Sequence, residues 1–413
     1  MRQQTEFGEI PVDWQVKKII DIKSDDKRAI AMGPFGSNIK ADNFVPSGVP
    51  VIRGTNMNYA KYVDGNFVYL TDEKADELIG SNCKPNDLVF THRGTIGQVA
   101  LIPHNKYSRY VISQSGMKLT VNQSIVNSEF LFYFFKSDYG QYQILKYEAQ
   151  VGVPSISNPL TSLKEMNVPV PLLTEQKAIV SVLSSLDNKI DLLHRQNKTL
   201  ESMAETLFRQ CFVEEAQDDW VHGTLKDEFA FTMGQSPKGS SFNEEQIGTP
   251  MFQGNADFGF RFPKERVYTT EPTRFAQKLD TLISVRAPVG AQNMARSKCC
   301  IGRGVAAFRH INNPDWYTYT YFKLRYLMDE IKKFNDEGTV FGSISKSDFE
   351  KIDVVIPPAS IIYNYEIMVK PLNDRVITNC FQIEKLEKLR DTLLPKLMSG
   401  EVRVSYTPEE IKQ

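Results

Sequence analysis

Residues 174–211 read TEQKAIVSVLSSLDNKIDLLHRQNKTLESMAETLFRQC, a run that contains neither Gly nor Pro. Thr174 is a candidate N-cap, and Glu175 lies in the first turn, where a negative charge is favourable. Apolar residues recur at alternating steps of four and three, which is the spacing of a coiled-coil seam. The seam comprises Ile179, Leu183, Leu186, Ile190, Leu193, Asn197, Leu200, Ala204, Leu207 and Cys211. At about 1.5 Å per residue, the stretch predicts a helix roughly 57 Å long that packs on another helix.

A second seam of equal length lies 186 residues further along the chain. Asn197 and Asn379 interrupt the two seams, and a buried Asn can set the register of a coiled coil, although both could instead be hydrated. Pro371 and Pro395 fall inside the second seam, where each removes a backbone donor and is expected to kink the helix. The second seam comprises Tyr365, Val369, Leu372, Val376, Asn379, Ile383, Leu386, Arg390, Leu393 and Leu397. We predict that the two helices pack on each other.

The remainder of the chain repeats as well. The offset between the copies falls from 206 near the start to 200, then 193, and reaches 186 before the helices. The second copy has therefore lost residues only in its globular part, while the helix length stays constant. The matched pairs are Asp13-Trp14 with Asp219-Trp220, Met32-Gly33 with Met233-Gly234, Gly48 with Gly248, Arg93 with Arg286, and Gly97 with Gly290.

These patterns predict a mixed α+β fold built from two tandem globular domains, each followed by a long helix. We place the first domain at 1–173, its helix at 174–212, the second domain at 213–358, and its helix with a C-terminal tail at 359–413. Short strands are predicted at 49–53, 88–91, 98–102 and 111–121, and a helix at 128–147. Ten aromatic residues of that helix and of its counterpart from Pro314 onward are predicted to be core: Phe130, Phe132, Tyr133, Phe134, Phe135, Trp316, Tyr317, Tyr319, Tyr321 and Phe322.

Composition excludes several classes of protein. The 413 residues include 49 Lys and Arg against 50 Asp and Glu, and 41% are hydrophobic. Such a chain is neither a disordered acidic protein nor a collagen-like polymer. The net charge of −1 also weighs against a nucleic-acid binder, which usually carries excess Lys and Arg.

Five cysteines form neither a CxxC pair nor a Cys/His cluster with zinc spacing, so we expect a reducing compartment. The N-terminal stretch lacks the apolar core of a signal peptide, and no segment has the ~20 apolar residues that cross a bilayer. We expect a soluble, cytoplasmic protein.

Corresponding loops of the two copies carry different polar residues. Arg53 stands opposite Gln253, Asn56 opposite Ala256, and Gln114 opposite Arg303. Arg reads guanine and Asn or Gln reads adenine in the major groove, so the two copies are predicted to read two different short sequences. Gly/Ser-rich segments at 32–40 and 233–242 each carry a Lys and could approach phosphates. Each of these residues could equally be an ordinary turn residue.

No catalytic constellation stands out in the sequence. The chain has no GxxxxGK[ST], no HExxH and no NPPY or DPPY loop, and no segment clusters carboxylates convincingly with a Lys. The duplication alone is also compatible with an enzyme that has one active site between its two domains. Because these catalytic motifs are missing from the sequence, we expect a non-catalytic chain.

Three segments carry a resemblance to a known family. They are GEIPVDWQVKKI at 8–19, PLLTEQKAIVSVLSSLDNKI at 171–190 and LRDTLLPKLMSGEV at 389–402. Together with two domains and two long helices, they resemble the specificity subunit of type I restriction-modification enzymes over essentially the whole chain. That resemblance implies two target recognition domains that read the halves of a split, asymmetric DNA site, and an antiparallel coiled coil with pseudo-twofold symmetry that sets the spacer.

The resemblance further implies that two methyltransferase subunits dock on this chain and that restriction subunits join through them. The cofactors S-adenosylmethionine, ATP and Mg are then expected in those partners and none in this chain. ASIIYNYEIM at 359–368 departs from the LTEQKAIV of the first helix, so the two docking surfaces are not expected to be equivalent. Two alternatives stay open: the recognition subunit of a compact restriction enzyme that cuts on both sides of its site, and a coiled-coil scaffold for proteins.

In that family the base-reading residues vary, so candidates are loop positions only. The predicted base readers of the first domain are Arg53, Asn56, His92, Arg93 and Gln114, and those of the second are Gln253, Asn255, Arg286, Asn293 and Arg303. Lys40, Lys238 and Lys346 are predicted phosphate contacts, which position a protein on DNA without specifying sequence.

Overall fold

The computed structural model describes residues 1–36, 38–57, 61–149, 152–333 and 342–405. The chain divides into two compact units. Unit 1 consists of Met1–Ile190 with Lys385–Gln413, and unit 2 consists of Asp191–Glu384. The units therefore cut through both long helices, unlike the predicted segments, which keep each helix whole. The reason is that each half of a helix packs into the core of a different globular domain: Leu183 belongs to the core of unit 1 and Ala204 to that of unit 2.

Both predicted long helices are present. The first is Leu173–Arg209, extended by a π-helical turn at Gln210–Glu214, and the second is Ala359–Met398. The first helix begins before the predicted cap, because the amide of Gln176 already donates to the carbonyl of Leu172, at 3.0 Å. The second helix continues through Pro371 and Pro395.

The heptad prediction is confirmed, because every residue of both seams is buried or half-buried. Within unit 2, Asn197 bonds Asn379 and the carbonyl of Ala204 accepts from the Tyr365 hydroxyl at 3.2 Å. Residue numbers thus rise along one helix as they fall along the other, so the halves in this unit pair antiparallel. In unit 1, Leu183 of the first helix shares a hydrophobic cluster with Leu397 of the second.

Unit 1 contains two four-stranded sheets, ordered 68–70, 49–52, 110–112, 82–83 and 30–32, 116–119, 88–91, 99–101. Strands 15–18 and 167–170 pair antiparallel, so the start of the globular domain meets its end just before the first long helix. The strands are Arg2–Thr5, Gly8–Pro11, Gln15–Lys18, Ile30–Met32, Val49–Ile52, Val68–Leu70, Asn82–Cys83, Leu88–Thr91, Val99–Leu101, Tyr110–Ile112, Gly116–Leu119, Glu148–Ala149, Ser155–Ile156 and Asn167–Val170. The shorter helices are Ile19–Ile22, Asp72–Glu77, Ser128–Lys136, Asp138–Leu145 and Pro159–Glu165.

Unit 2 repeats this plan with a four-stranded sheet ordered 229–233, 305–310, 281–284, 292–294 and a five-stranded sheet ordered 242–243, 267–269, 249–252, 299–301, 275–276. Strands 221–224 and 353–356 close the domain in the same way. The strands are Val221–Thr224, Phe229–Met233, Phe242–Asn243, Thr249–Phe252, Val267–Thr269, Phe275–Ala276, Thr281–Ser284, Gln292–Met294, Cys299–Ile301, Val305–His310 and Asp353–Ile356. The shorter helices are Leu225–Glu228, Tyr317–Tyr326, Met328–Lys333 and Lys346–Phe349. The predicted mixed α+β class with two long helices is confirmed.

Two predicted elements are each divided in the structure. The strand predicted at 111–121 is two strands, because Gly116 donates its amide to the Ser113 carbonyl at 2.9 Å and forms a turn between them. The helix predicted at 128–147 is interrupted at Ser137, whose hydroxyl donates to the Phe134 carbonyl at 2.6 Å and competes with the helical bonds. The aromatic residues predicted as core, at 130 and 132–135, are buried, whereas Tyr142 of the second helix is exposed.

Candidate nucleic-acid interface

In unit 1, the candidate interface lies at one edge of the paired strands. Strands 49–52 and 110–112 run parallel, so the loops that follow them leave from the same edge. The Ser113 amide donates to the Ile52 carbonyl at 2.8 Å, and the His92 amide donates to the Ser115 carbonyl at 2.9 Å. Arg53, Arg93 and Gln114 therefore start from neighbouring backbone positions.

Unit 2 builds the same edge from the corresponding strands. Strands 249–252 and 299–301 are parallel, and the Gly302 amide donates to the Phe252 carbonyl at 2.8 Å. The Val285 amide donates to the Gly304 carbonyl at 2.9 Å. Gln253, Arg286 and Arg303 therefore occupy the positions that Arg53, Arg93 and Gln114 occupy in unit 1.

Seven of the predicted readers present exposed side chains, namely Arg53, Arg93, Gln114, Gln253, Asn255, Arg286 and Arg303. The guanidinium of Arg53 is 3.5 Å from the carbonyl of Asn66, which is a weak contact. Long polar side chains held this loosely can reorient toward a ligand.

Three of the unit 2 positions line one cleft of about 490 Å³: Gln253, Asn255 and Arg286. The cleft also includes Arg266, which sequence reasoning missed, and Asp257, with which Arg266 forms an ion pair. The offset of 200 places Arg266 opposite Asn66, the residue whose carbonyl Arg53 contacts in the first copy. Different polar residues at matched loop positions, Asn66 and Arg266, were the sequence signal for this candidate.

The structure places Asn56, another predicted reader, inside its loop. Its side chain is 1% exposed, and its amide donates to the carbonyls of Asp64 at 3.1 Å and Asn66 at 3.0 Å. Its Oδ1 accepts from the Arg53 amide at 3.0 Å. Asn56 thus holds the loop that presents Arg53 and does not itself face solvent.

In unit 2 the side chain that accepts a hydrogen bond from the corresponding backbone amide is Asp257. The residue that the offset of 200 places opposite Asn56 is Ala256. Asp257 is buried, and its Oδ2 accepts from the Gln253 amide at 2.8 Å. A carboxylate or an amide oxygen at this point of the loop satisfies the same backbone donor.

His92 and Asn293 are also buried, in contrast to the expectation of base contact. His92 lies with its Nε2 3.1 Å from the Gln114 carbonyl, and burial lowers its pKa below the usual range. Asn293 donates from its side-chain amide to the carbonyl of Gly259 at 2.8 Å. Each of these side chains contacts the backbone of a neighbouring loop, so in this structure both stabilise the candidate interface from inside.

The three predicted phosphate contacts, Lys40, Lys238 and Lys346, are exposed. Lys346 lies 3.5 Å from Glu350, one turn along its helix. Lys40 and Lys238 lie within the Gly/Ser-rich segments, of which Ser37 lies outside the described residues.

The glycines of those segments have a structural explanation. A Cβ on Gly33 would lie 1.8 Å from the Ser113 carbonyl oxygen, and one on Gly234 would lie 2.1 Å from that of Gly302. Glycine therefore lets each segment pass directly over the neighbouring loop of the interface.

A further loop at the edge was missed by sequence reasoning. Arg93 pairs with Ser155 in an isolated β-bridge, and Arg286 pairs with Ser343 in the same way. The tripeptide Ser-Ile-Ser occurs at 155–157 and again at 343–345, at an offset of 188 between the neighbouring values of 193 and 186. This short repeat was the signal for the loop.

The two seam asparagines meet within unit 2. Asn379 donates from its amide to Asn197 Oδ1 at 2.9 Å, and both side chains are fully buried. Among the described residues, the Asn379 side-chain oxygen has no hydrogen-bond partner. A buried pair of this kind penalises any register that separates it, so the role in register stays a prediction with a geometric basis.

No group of three or more His, Cys, Asp and Glu side chains able to hold a metal ion occurs among the described residues. The five cysteines are not joined in disulfides. In the described part of the chain, every helix is too short or too polar to span a bilayer.

Comparison with known proteins gives consistent matches. The family described as Type I restriction modification DNA specificity domain matches twice, at residues 11–202 and 217–388. The putative type I restriction enzyme MjaX specificity subunit of Methanocaldococcus jannaschii is 30% identical, over 97% of this chain and 96% of the relative. The HindI specificity subunit of Haemophilus influenzae is 24% identical, over 91% of this chain and 100% of the relative.

One solved structure has the same fold over nearly its whole length. It is the S subunit of a type I restriction-modification system from M. genitalium, which matches with a TM-score of 0.63 at 20% identity. The match covers 96% of this chain and 97% of that one.

Proposed function

The chain belongs to the type I restriction modification DNA specificity family, and we propose that it reads a DNA site in two halves, one with each globular domain. One observation carries the proposal. The same strand edge is built twice, with exposed side chains of different chemistry at corresponding positions: Arg53 with Gln253, and Gln114 with Arg303.

The different side chains favour different bases. Arg donates two parallel hydrogen bonds to O6 and N7 of guanine, whereas Gln pairs with N6 and N7 of adenine. Arg93 and Arg286 are common to both edges. Two edges with these sets would read unlike half-sites, which makes the whole site asymmetric.

We assign the phosphate contacts to Lys40, Lys238 and Lys346, whose exposed ammonium groups can approach the DNA backbone. Arg266 joins the candidate readers, because it lines the same cleft as Gln253 and Arg286.

In this proposal the chain itself performs no catalytic step. Methyltransferase subunits dock on it, restriction subunits join through them, and S-adenosylmethionine, ATP and Mg are bound by those partners. The specificity subunit contributes the choice of sequence and the distance between the half-sites.

We further propose that two methyltransferase subunits meet unlike surfaces. Tyr363, Ile367 and Met368 of the second long helix are exposed and apolar. The offset of 186 places them opposite Lys177, Ser181 and Val182. Three exposed apolar residues on one helix, and a Lys, a Ser and a half-buried Val at the matched positions of the other, favour different contacts with the partner.

Methylome sequencing tests the proposal in cells that express the chain with its methyltransferase. We expect one split motif with two unlike halves and a constant gap. Modification at a continuous site, or at no site, contradicts the proposal. A DNA footprint of two protected patches around an unprotected gap would separate it from a protein scaffold.

A further inference from the structure

A buried cation lies at the same position in the interface loop of both domains. Lys61 and Arg261 are separated by 200 residues, the same offset as Arg53 and Gln253. The Leu101 amide donates to the Lys61 carbonyl, and the Met294 amide donates to the Arg261 carbonyl, both at 2.9 Å. The backbone thus places the two cations equivalently.

In unit 2, the Arg261 side chain is fully enclosed. Its Nη2 donates to Oε1 of Glu201, on the first long helix, at 2.5 Å. Its guanidinium lies 3.9 Å from the centre of the Tyr321 ring, on the aromatic helix of the domain. The guanidinium therefore joins the interface loop to the long helix and to the domain core at once.

In unit 1, Lys61 makes the corresponding connections with different chemistry. Its ammonium forms an ion pair with Glu129 and donates to the hydroxyl of Ser184, on the first long helix, at 2.9 Å. It also lies 5.6 Å from the centre of the Tyr133 ring. Glu129 and Tyr133 belong to the aromatic helix Ser128–Lys136.

A buried ion pair is an unusual way to hold a loop. It stabilises the folded state little compared with apolar packing, and removal of one partner destabilises the fold strongly because the other charge stays buried. A charged hydrogen bond also has a narrow range of distances and angles, so it fixes the orientation of the loop relative to its partner. Other residues already hold the loop of unit 2 from inside its domain, among them Asp257 and Asn293. Arg261 connects the loop to the first long helix, and its neighbour Phe262 stacks on Phe381 of the second long helix, with ring centres 5.2 Å apart.

We propose that Lys61 and Arg261 are positioning residues that set each base-reading loop relative to the long helix. This inference rests on the proposed function. It makes the reading of each half-site depend on a residue that does not touch DNA, and it confines that dependence to one half-site per cation.

The test uses the full chain with the paired change Arg261→Met and Glu201→Met. Glu201 also lies 3.5 Å from Arg325, which keeps its ion pair with Glu205 at 2.7 Å. Removal of both charges therefore leaves no unpaired ion in the core, and the melting temperature is expected within about 3 °C of the wild type. Amide exchange in residues 253–259 is expected to rise about tenfold. In complex with the methyltransferase, the methylated motif is expected to lose at least one specified base of the second half-site and none of the first.

Arg296→Met is the matched control. Arg296 also pairs with a long helix, through Glu384 at 2.7 Å, but lies outside the loop. It should leave both half-sites and the exchange of 253–259 unchanged. The single change Lys61→Met is expected to degrade only the first half-site.

The inference is overturned if the folded double variant keeps wild-type exchange in the loop and an unchanged second half-site. It is equally overturned if both half-sites degrade together. If the wild-type complex modifies no split motif, the proposed function fails, and loop exchange in the isolated chain alone then decides the positioning role.

Discussion

Asn56 and Arg53 lie three residues apart in one loop, but they differ in solvent exposure. Arg53 is exposed, whereas Asn56 is buried and satisfies the amide of Arg53. The atoms that let Asn read adenine are the atoms that cap a loop, so residue type does not separate the two roles. Only the direction of the side chain does.

Glu366 supplies a prediction of pH dependence. It is 5% exposed on the second long helix, and its Oε1 accepts from the Tyr319 amide at 2.7 Å. Burial is the main cause that raises its pKa from 4.5 to about 7. The folded state therefore holds this proton more tightly than the unfolded state does, and stability falls as the pH rises between those two values.

We expect Glu366→Gln to be more stable than the wild type at pH 8, by on the order of 1–3 kcal/mol, because the amide stays neutral. At pH 4 the two proteins should differ little. Urea unfolding at both pH values measures this, with the exposed Glu271→Gln as control. An equal difference at pH 4 and pH 8 would contradict the assignment to ionisation.

At the scale of elements, the long helices were the most predictable part. A heptad pattern reports burial directly, and every seam residue is buried or half-buried. The divided strand at 110–119 and the divided helix at 128–145 were less predictable. Single side-chain and turn hydrogen bonds, at Ser137 and Gly116, end those elements without disturbing their hydrophobic pattern.

The asparagine pair allows a double-variant test of register. Asn379→Leu leaves Oδ1 of Asn197 buried without its donor, although the Asn197 amide keeps its contact with Cys380 Sγ at 3.7 Å. We expect a loss of about 1–3 kcal/mol in the free energy of unfolding. Replacing both residues by Leu should recover most of that loss. Urea unfolding gives the values, with the exposed Asn188→Leu as control. A double variant that is as unstable as the sum of its single changes would speak against coupling.

The length of the helices is expected to set the gap between the half-sites. Seven residues inserted into each long helix, after Ile190 and after Glu384, add about 10 Å while preserving the seam. Since the duplex rises about 3.4 Å per base pair, the gap should grow by about three base pairs. Methylome sequencing reads the gap, and a changed half-site would refute the idea of a spacer.

For the whole molecule, the charge is evenly divided. Residues 1–173 carry 18 Lys and Arg against 17 Asp and Glu, and residues 213–358 carry 18 against 20. Neither globular domain therefore carries a large excess of basic residues for phosphate contacts.

We expect the isolated chain to bind random duplex DNA weakly. Because few counterions are released, affinity should fall by less than about 100-fold between 50 and 200 mM salt. Titration of a labelled random duplex measures this. A loss of about 1,000-fold or more would mean that this chain grips the backbone by itself.

Exchange of a domain tests modularity. Replacing residues 217–358 by the second domain of another specificity subunit should change one half-site and leave the other, because each edge is built within its own unit. The methylated motif of the chimera is the measurement. Changes in both half-sites would mean that the domains do not read independently.

The amino-acid sequence by itself determined the duplication, the two seams, the mixed α+β class and the loops in which readers were to be sought. These features follow from periodicity and from the offsets between the two copies, which can be read from the order of residues without knowledge of the contacts. Only the tertiary structure decided which loop residues face solvent and which are braces, and it added Arg266 and the loops at Ser155 and Ser343 to the edge. The physical reason is that strand pairing brings together residues far apart in sequence, and a side chain's role depends on which backbone donor or acceptor it meets there.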